Sequence, residues 1–264
     1  MNALLIYPEY PETFWSFKHA LKFVFRKAAY PPLGLLTVAA MLPEQWAKKL
    51  IDLNVTKLKD TDLEWADMIF ISAMAVQKAG ARSIIDRCKK AGVKVVAGGP
   101  LFTAEREDFE DVDHLVLNEA EITLPAFLNE LKYGDARHIY TSDQWAEITQ
   151  TPPPAWDLIN LDHYACMSIQ YSRGCPFNCD FCDITLLYGH KPRTKSKAQI
   201  VAELEGLYLT GWRGGVFFVD DNFIVKWLDF AFYVPTELKP VAISFKENIV
   251  LTVPPMVSAE QAPK

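Results

Sequence analysis

Three of the five cysteines stand in one short segment, Ser172-Arg173-Gly174-Cys175-Pro176-Phe177-Asn178-Cys179-Asp180-Phe181-Cys182. Soft thiolates at C-x3-C-x2-C spacing are the ligands iron takes in iron–sulfur clusters. Cys175, Cys179 and Cys182 can hold three irons of a 4Fe–4S cubane and leave the fourth open to a small molecule. A four-cysteine site would be closed. Gly174 permits a tight backbone approach, and Pro176 stiffens the start of the loop. The rival reading is structural zinc, which takes four ligands in two pairs. No partner stands nearby at that spacing, His190 being the next downstream candidate. Cys88, in a helical pattern, and Cys166, ahead of a strand, read as buried structural thiols.

A second group of chemistry-bearing residues is Val219-Asp220-Asp221-Asn222-Phe223, which ends a later strand. Carboxylates at the carboxyl end of a strand could hold an ammonium group. A turn or helix cap built from Asp and Asn is the alternative.

The elements that position these residues fall into two units. In the first, strands are predicted at Ala3–Tyr7, Lys49–Leu53, Met68–Ser72, Val93–Ala97 and His114–Leu117. Helices are predicted at Leu33–Leu42, Val76–Ala91 and Thr123–Lys132. The alternation implies a mostly parallel, flavodoxin-like or Rossmann-like doubly wound α/β domain over residues 1–148. Its ligand crevice belongs at the carboxyl ends of the strands. Four loops ring that crevice: Tyr7-Pro8-Glu9, Ser72-Ala73-Met74, Gly98-Gly99-Pro100 and Asn118-Glu119-Ala120-Glu121. Adjacent Gly98 and Gly99 let a large ligand touch the backbone, though ordinary turns have the same composition.

Pro152-Pro153-Pro154 marks a boundary. Residues 149–224 then read as the start of a partial (β/α) barrel, with strands at Met167–Tyr171 and Gly215–Val219 and a helix at Lys197–Thr210. The cysteine loop follows its first strand, where such barrels place active sites. Residues 225–264 show no further βα repeat and read as an atypical tail.

Half of the 264 residues are hydrophobic, and the net charge is -6. That balance leaves no broad positive field for a phosphate backbone, so nucleic acid is not the expected partner. The short apolar start lacks the features of a signal peptide, and no apolar run reaches transmembrane length. A cytoplasmic setting is expected. Phe14, Phe17, Leu21 and Phe25 recur at near-helical spacing among Lys18, Lys22, Arg26 and Lys27. This stretch reads as a lid over the crevice or as a basic amphipathic helix in peripheral contact with a membrane.

With these motifs in view, the chain resembles the radical S-adenosylmethionine superfamily, in particular the branch with an N-terminal B12-binding domain. It is similar there to the hopanoid methylases, which share Phe14-Trp15-Ser16-Phe17-Lys18-His19 and Pro31-Pro32-Leu33-Gly34-Leu35. The resemblance covers residues 1–224. It implies that Cys175, Cys179 and Cys182 ligate the cluster and that its open iron chelates S-adenosylmethionine. It places Phe181 near the adenine, and the ammonium group that Asp220 and Asp221 could hold at their strand end would be that of the same cofactor. Cobalamin would then lie against Tyr7, Ser72, Met74, Gly98, Gly99 and Glu119. No histidine stands in a D-x-H-x-x-G pattern, so a histidine ligand to cobalt is not expected.

The implied activity is methyl transfer to an unactivated carbon of a small or lipid-like substrate, with flavodoxin or ferredoxin as electron donor. No catalytic residue beyond the cluster ligands is named. The alternatives are a catalytically incomplete cofactor-binding protein and a relative of the tRNA methylthiotransferases. The acidic charge argues against the last.

Overall fold

The computed structural model describes residues 1–12, 18–180, 182–222 and 250–252. Phe14, Phe17, Phe181 and nearly all of the predicted tail lie outside the described residues.

Six strands form one parallel sheet: β1 (Asn2–Tyr7), β2 (Ala47–Asp52), β3 (Met68–Ser72), β4 (Lys94–Gly98), β5 (His114–Val116) and β6 (Ile139–Tyr140). Their order is β2-β1-β3-β4-β5-β6, the flavodoxin-like arrangement with its switch point between β1 and β3. Helices α1 (Lys18–Leu21), α2 (Leu33–Met41), α3 (Asp60–Trp65), α4 (Lys78–Lys90), α5 (Pro100–Ala104) and α6 (Ala120–Tyr133) accompany it.

The inner strands β1, β3 and β4 read as near-continuous apolar runs because both faces are covered, whereas the edge strand β2 carries Lys48 and Lys49. Alternate residues point to opposite sides. Leu4 and Ile6 pack with Ile69, Ile71, Ile85 and Cys88, while Ala3 and Leu5 pack with Phe70, Val96, Leu124 and Phe127. Burial pushes the Cys88 thiol up to about 12, as a structural cysteine should be.

The five predicted strands are all present, shifted by a residue or two at their ends. The sixth, β6, is two residues long and too short to leave a periodic signal.

The second unit carries β7 (Met167–Ile169), β8 (Ser172–Arg173), α7 (Ile184–Tyr188), β9 (Arg193–Thr194), α8 (Lys197–Leu209) and β10 (Gly215–Phe218). β7 and β10 pair in parallel, as one βαβ turn of a barrel requires. β11 (Val250–Thr252) adds antiparallel to β10. The Ser196 hydroxyl caps α8 by accepting from the Gln199 amide, while the Gln199 side chain accepts from the Ser196 amide.

The two units share a third core. Leu36 of α2 and Ala28 pack with Trp156, Tyr164, Met167, Ile169, Leu207 and Val216. The Ala155 amide also donates to the Leu36 carbonyl at 3.1 Å. The triple proline therefore crosses a joint packed on apolar side chains.

Candidate functional site

A cavity of about 500 Å³ opens where the carboxyl ends of both sheets face each other. Tyr7, Ser72, Met74, Gly98, Gly99 and Glu119 line it from the first unit. Ser168, Gln170, Arg173, Lys195, Val219 and Asp221 line it from the second. All six residues expected to meet cobalamin therefore surround one space, together with Asp221.

Five of those six also have a local job. A Cβ on Gly98 would sit 2.5 Å from the Val116 carbonyl oxygen, so the neighbouring strand already requires a glycine there. Gly99 has φ +91°, and its Cβ would meet the Ser72 hydroxyl at 2.5 Å. The Tyr7 and Tyr10 hydroxyls share a hydrogen bond of 2.7 Å, and burial drives the Tyr7 phenol far above its usual range. The Met74 amide donates to Gln77, leaving the thioether partly exposed at the rim.

Glu119 is the most heavily engaged. Its carboxylate accepts from Arg173 Nη1 at 3.0 Å, from Arg193 Nη1 at 2.8 Å and from the Ala146 amide at 2.7 Å. Beside it, Glu121 accepts from Arg173 at 2.8 Å and from the Thr151 hydroxyl at 2.8 Å. Burial raises the Glu121 carboxyl, but Arg173 and Thr151 outweigh it and hold the group below its ordinary value.

The cysteine loop leaves the β8–β9 hairpin at Gly174, which has φ +90°. A Cβ there would lie 2.8 Å from the Lys191 carbonyl oxygen, so a side chain would break the hairpin closure. Cys175 donates its amide to the Gly189 carbonyl at 3.2 Å, and Cys182 donates to Cys179 at 3.1 Å. Cys179 is exposed, while Cys175 and Cys182 are half-buried. Among the described residues, no group of three His, Cys, Asp or Glu side chains is drawn close enough to hold a metal ion. The donor set fits an iron–sulfur cluster in kind, being three soft thiolates on one accessible loop.

The Asp-Asp-Asn run follows β10, which stops at Phe218, and lies directly beside this loop. Asp220 accepts from the Tyr171 amide at 3.2 Å and from the Ser172 amide and hydroxyl, the latter at 2.6 Å. Burial lifts its carboxyl to about 6. Asp221 accepts from the Gly174 amide at 3.0 Å, and Asn222 donates to the Cys175 sulfur at 3.5 Å. Both carboxylates therefore hold the backbone leading into the loop, and Asp221 also faces the cavity. Phe181 lies outside the described residues.

The sequence reading missed Tyr10, Tyr30, Arg173, Tyr188 and Lys195 as cavity residues. Their only signal was proximity to motifs already singled out. Phe23 and Phe25, by contrast, are 85% and 92% exposed and do not line the cavity, so that part of the expected lid does not cover it. No helix among the described residues is long and apolar enough to cross a membrane.

The cavity wall is apolar in part and charged in part, with room for a bulky ligand. The glycine pair brings backbone to the surface, and Tyr30, Leu33, Leu124 and Leu187 add apolar lining.

Comparison with known proteins agrees with this geometry. Residues 25–128 match the B12-binding domain family. The chain is 48% identical over 226 residues to an uncharacterized methyltransferase of Synechocystis sp., with 85% of this chain and 42% of that protein covered. It is 36% identical over 228 residues to the hopanoid C-2 methylase of Rhodopseudomonas palustris, covering 84% of this chain and 43% of the relative. The chain thus spans less than half the length of these two relatives.

Among solved structures, the fold is similar to OxsB, a cobalamin-dependent S-adenosylmethionine radical enzyme with aqua-cobalamin and S-adenosylmethionine bound. That match has a TM-score of 0.63 at 18% identity over 84% of this chain and 34% of that one. It is also similar to the radical S-adenosylmethionine methyltransferase TsrM of Kitasatospora setae, with cobalamin and a 4Fe–4S cluster bound. There the TM-score is 0.63 at 16% identity over 85% of this chain and 50% of that one. The chain thus carries a B12-binding domain match and is similar in sequence to proteins named methyltransferase and hopanoid methylase, and its fold is that of the cobalamin-binding enzymes OxsB and TsrM.

Proposed function

We propose that this chain forms the cobalamin-binding and cluster-bearing part of a radical S-adenosylmethionine methyltransferase acting on an unactivated carbon of a small or lipid-like substrate. The observation that carries this reading is the single cavity lined at once by the carboxyl edge of the B12-type sheet and by Arg173 and Asp221 beside the cysteine loop. Cys175, Cys179 and Cys182 are the proposed cluster ligands. When bound, the cluster supplies the electron that opens the sulfonium of S-adenosylmethionine, and cobalamin carries the methyl group.

The chain's own residues supply position and exclusion. Asp220 and Asp221 hold the loop backbone, and Asp221 also lines the cavity, where it would meet a cationic partner. Tyr7, Ser72, Met74, Gly98 and Gly99 form the wall against which a corrin would rest. The name of the Rhodopseudomonas relative supports a lipid-like substrate. A flavodoxin or ferredoxin is the proposed electron donor.

Anaerobic reconstitution of the full chain with iron and sulfide, followed by S-adenosylmethionine and a reductant, tests this. A visible charge-transfer band and formation of 5′-deoxyadenosine or S-adenosylhomocysteine are expected. A chain that takes up iron but leaves S-adenosylmethionine intact would remove the enzymatic half of the proposal.

A further inference from the structure

We propose that Glu119 is the positioning residue of the cysteine loop. This carboxylate belongs to the first unit, yet it grips both strands of the hairpin from which the loop hangs. Arg173 ends β8 and Arg193 begins β9, and the two are register partners in the hairpin. Both guanidiniums donate to Glu119, at 3.0 Å and 2.8 Å. Glu121 takes a second pair of bonds from Arg173. Among the described residues Glu119 is the carboxylate that the two arginines share.

The network is buried, with side-chain exposures of 1% for Glu119, 13% for Arg173 and 14% for Arg193. Removing one partner from such a network leaves charge without compensation in a poorly solvated place. The hairpin would then open locally while the sheet beneath it, held by apolar packing, stays closed. Cys175 lies two residues beyond Arg173, and its amide closes on Gly189 within the same hairpin. The order of the loop is thus set from the B12-type domain, across the cavity's edge. The inference rests on the proposed function only in naming iron as what the loop receives.

Thiol reactivity in the full apo chain reads this directly, by the rates at which iodoacetamide labels Cys175, Cys182 and Cys88. Cys88 is fully buried in the first unit and reports global opening. Glu119→Gln is expected to speed labelling of Cys175 and Cys182 about tenfold, the scale of a lost charge-assisted hydrogen bond in a local opening equilibrium. Cys88 is expected to keep its wild-type rate. Arg193→Gln should reproduce the pattern from the other side of the pair and serves if Glu119→Gln does not fold.

Parallel acceleration of Cys88, or unchanged rates at Cys175 and Cys182, would overturn the proposal. So would a loss of aquocobalamin affinity in Glu119→Gln with unchanged thiol rates, which would make Glu119 a cofactor contact instead. If the wild-type chain takes up no iron, the proposed function fails while the labelling rates still decide the role of Glu119.

Discussion

The Asn222 side-chain amide donates to the Cys175 sulfur at 3.5 Å, so the segment that follows β10 touches the first cysteine of the loop directly. Hydrogen bonds to cluster sulfurs stabilise the more negative, reduced state and raise the potential. Asn222→Ala should leave iron content intact and lower the potential of the reconstituted cluster. The size follows from about 1 kcal/mol of hydrogen bonding, or about 40 mV for one electron. Potentiometric titration followed by electron paramagnetic resonance checks it, and an unchanged potential would remove Asn222 from the account.

Gly34 is the second residue of α2, and a Cβ there meets nothing within 4 Å, yet it lines the cavity. Glycine in a helix costs roughly 0.5–1 kcal/mol against alanine, so Gly34→Ala should leave the fold as stable or more so. If a large ligand approaches this wall, the same change should weaken cobalamin binding. Thermal unfolding and a spectroscopic titration separate the two effects. Gly98→Ala is the contrast, because its Cβ would strike the Val116 backbone and lower stability by about 1–3 kcal/mol.

Asp220 links pH to stability. Its carboxyl is raised from 3.8 to about 6 by burial, with the hydrogen bonds from Ser172 and Tyr171 only partly opposing this. The unfolded chain releases this proton first as pH rises, so the folded state binds more protons between the two values. This group's contribution therefore favours the fold at low pH and is lost as pH rises from about 4 to about 6. The difference in melting temperature between wild type and Asp220→Asn should change across that window and be flat above it. A constant difference from low to neutral pH would contradict the assignment.

Lys195 donates to Glu203, and their side chains are 5% and 1% exposed, with Glu203 Oε2 left without a hydrogen-bond partner among the described residues. Removing one member of a buried pair typically costs about 3–5 kcal/mol, whereas replacing both with apolar residues can be neutral. Glu203→Leu alone should therefore destabilise strongly, and Lys195→Met with Glu203→Leu should recover most of the loss. Chemical denaturation of the three variants reads this, and a double variant no better than the single would count against it.

What the sequence made legible was local. β1, β3 and β4 are apolar runs closed by Pro8, Ser72 and Gly98-Gly99, and α4 stops short of Gly92, so each was readable from its own residues. The cysteine loop was readable as a motif because its three cysteines stand at C-x3-C-x2-C spacing in one segment. β6 was not, since a two-residue strand has no period. Glu119 was legible as a crevice residue but not as the partner of Arg173 and Arg193, which lie 54 and 74 positions away. Asp220 and Asp221 were legible as carboxylates at a strand end, but their hold on the Ser172 and Gly174 amides depends on how β10 sits against β7. Long-range polar pairing of this kind leaves no mark in hydrophobic periodicity.

On the proposed function, one cavity would bring cobalamin and an iron–sulfur cluster side by side. The most direct measurement is electron paramagnetic resonance of the full chain loaded with both, cobalamin as cob(II)alamin and the cluster reduced. Two paramagnets facing one cavity should broaden or split each other's signals, and the effect should vanish in Cys175→Ala. Two full-occupancy signals that are simple sums of the separately loaded spectra would contradict the account.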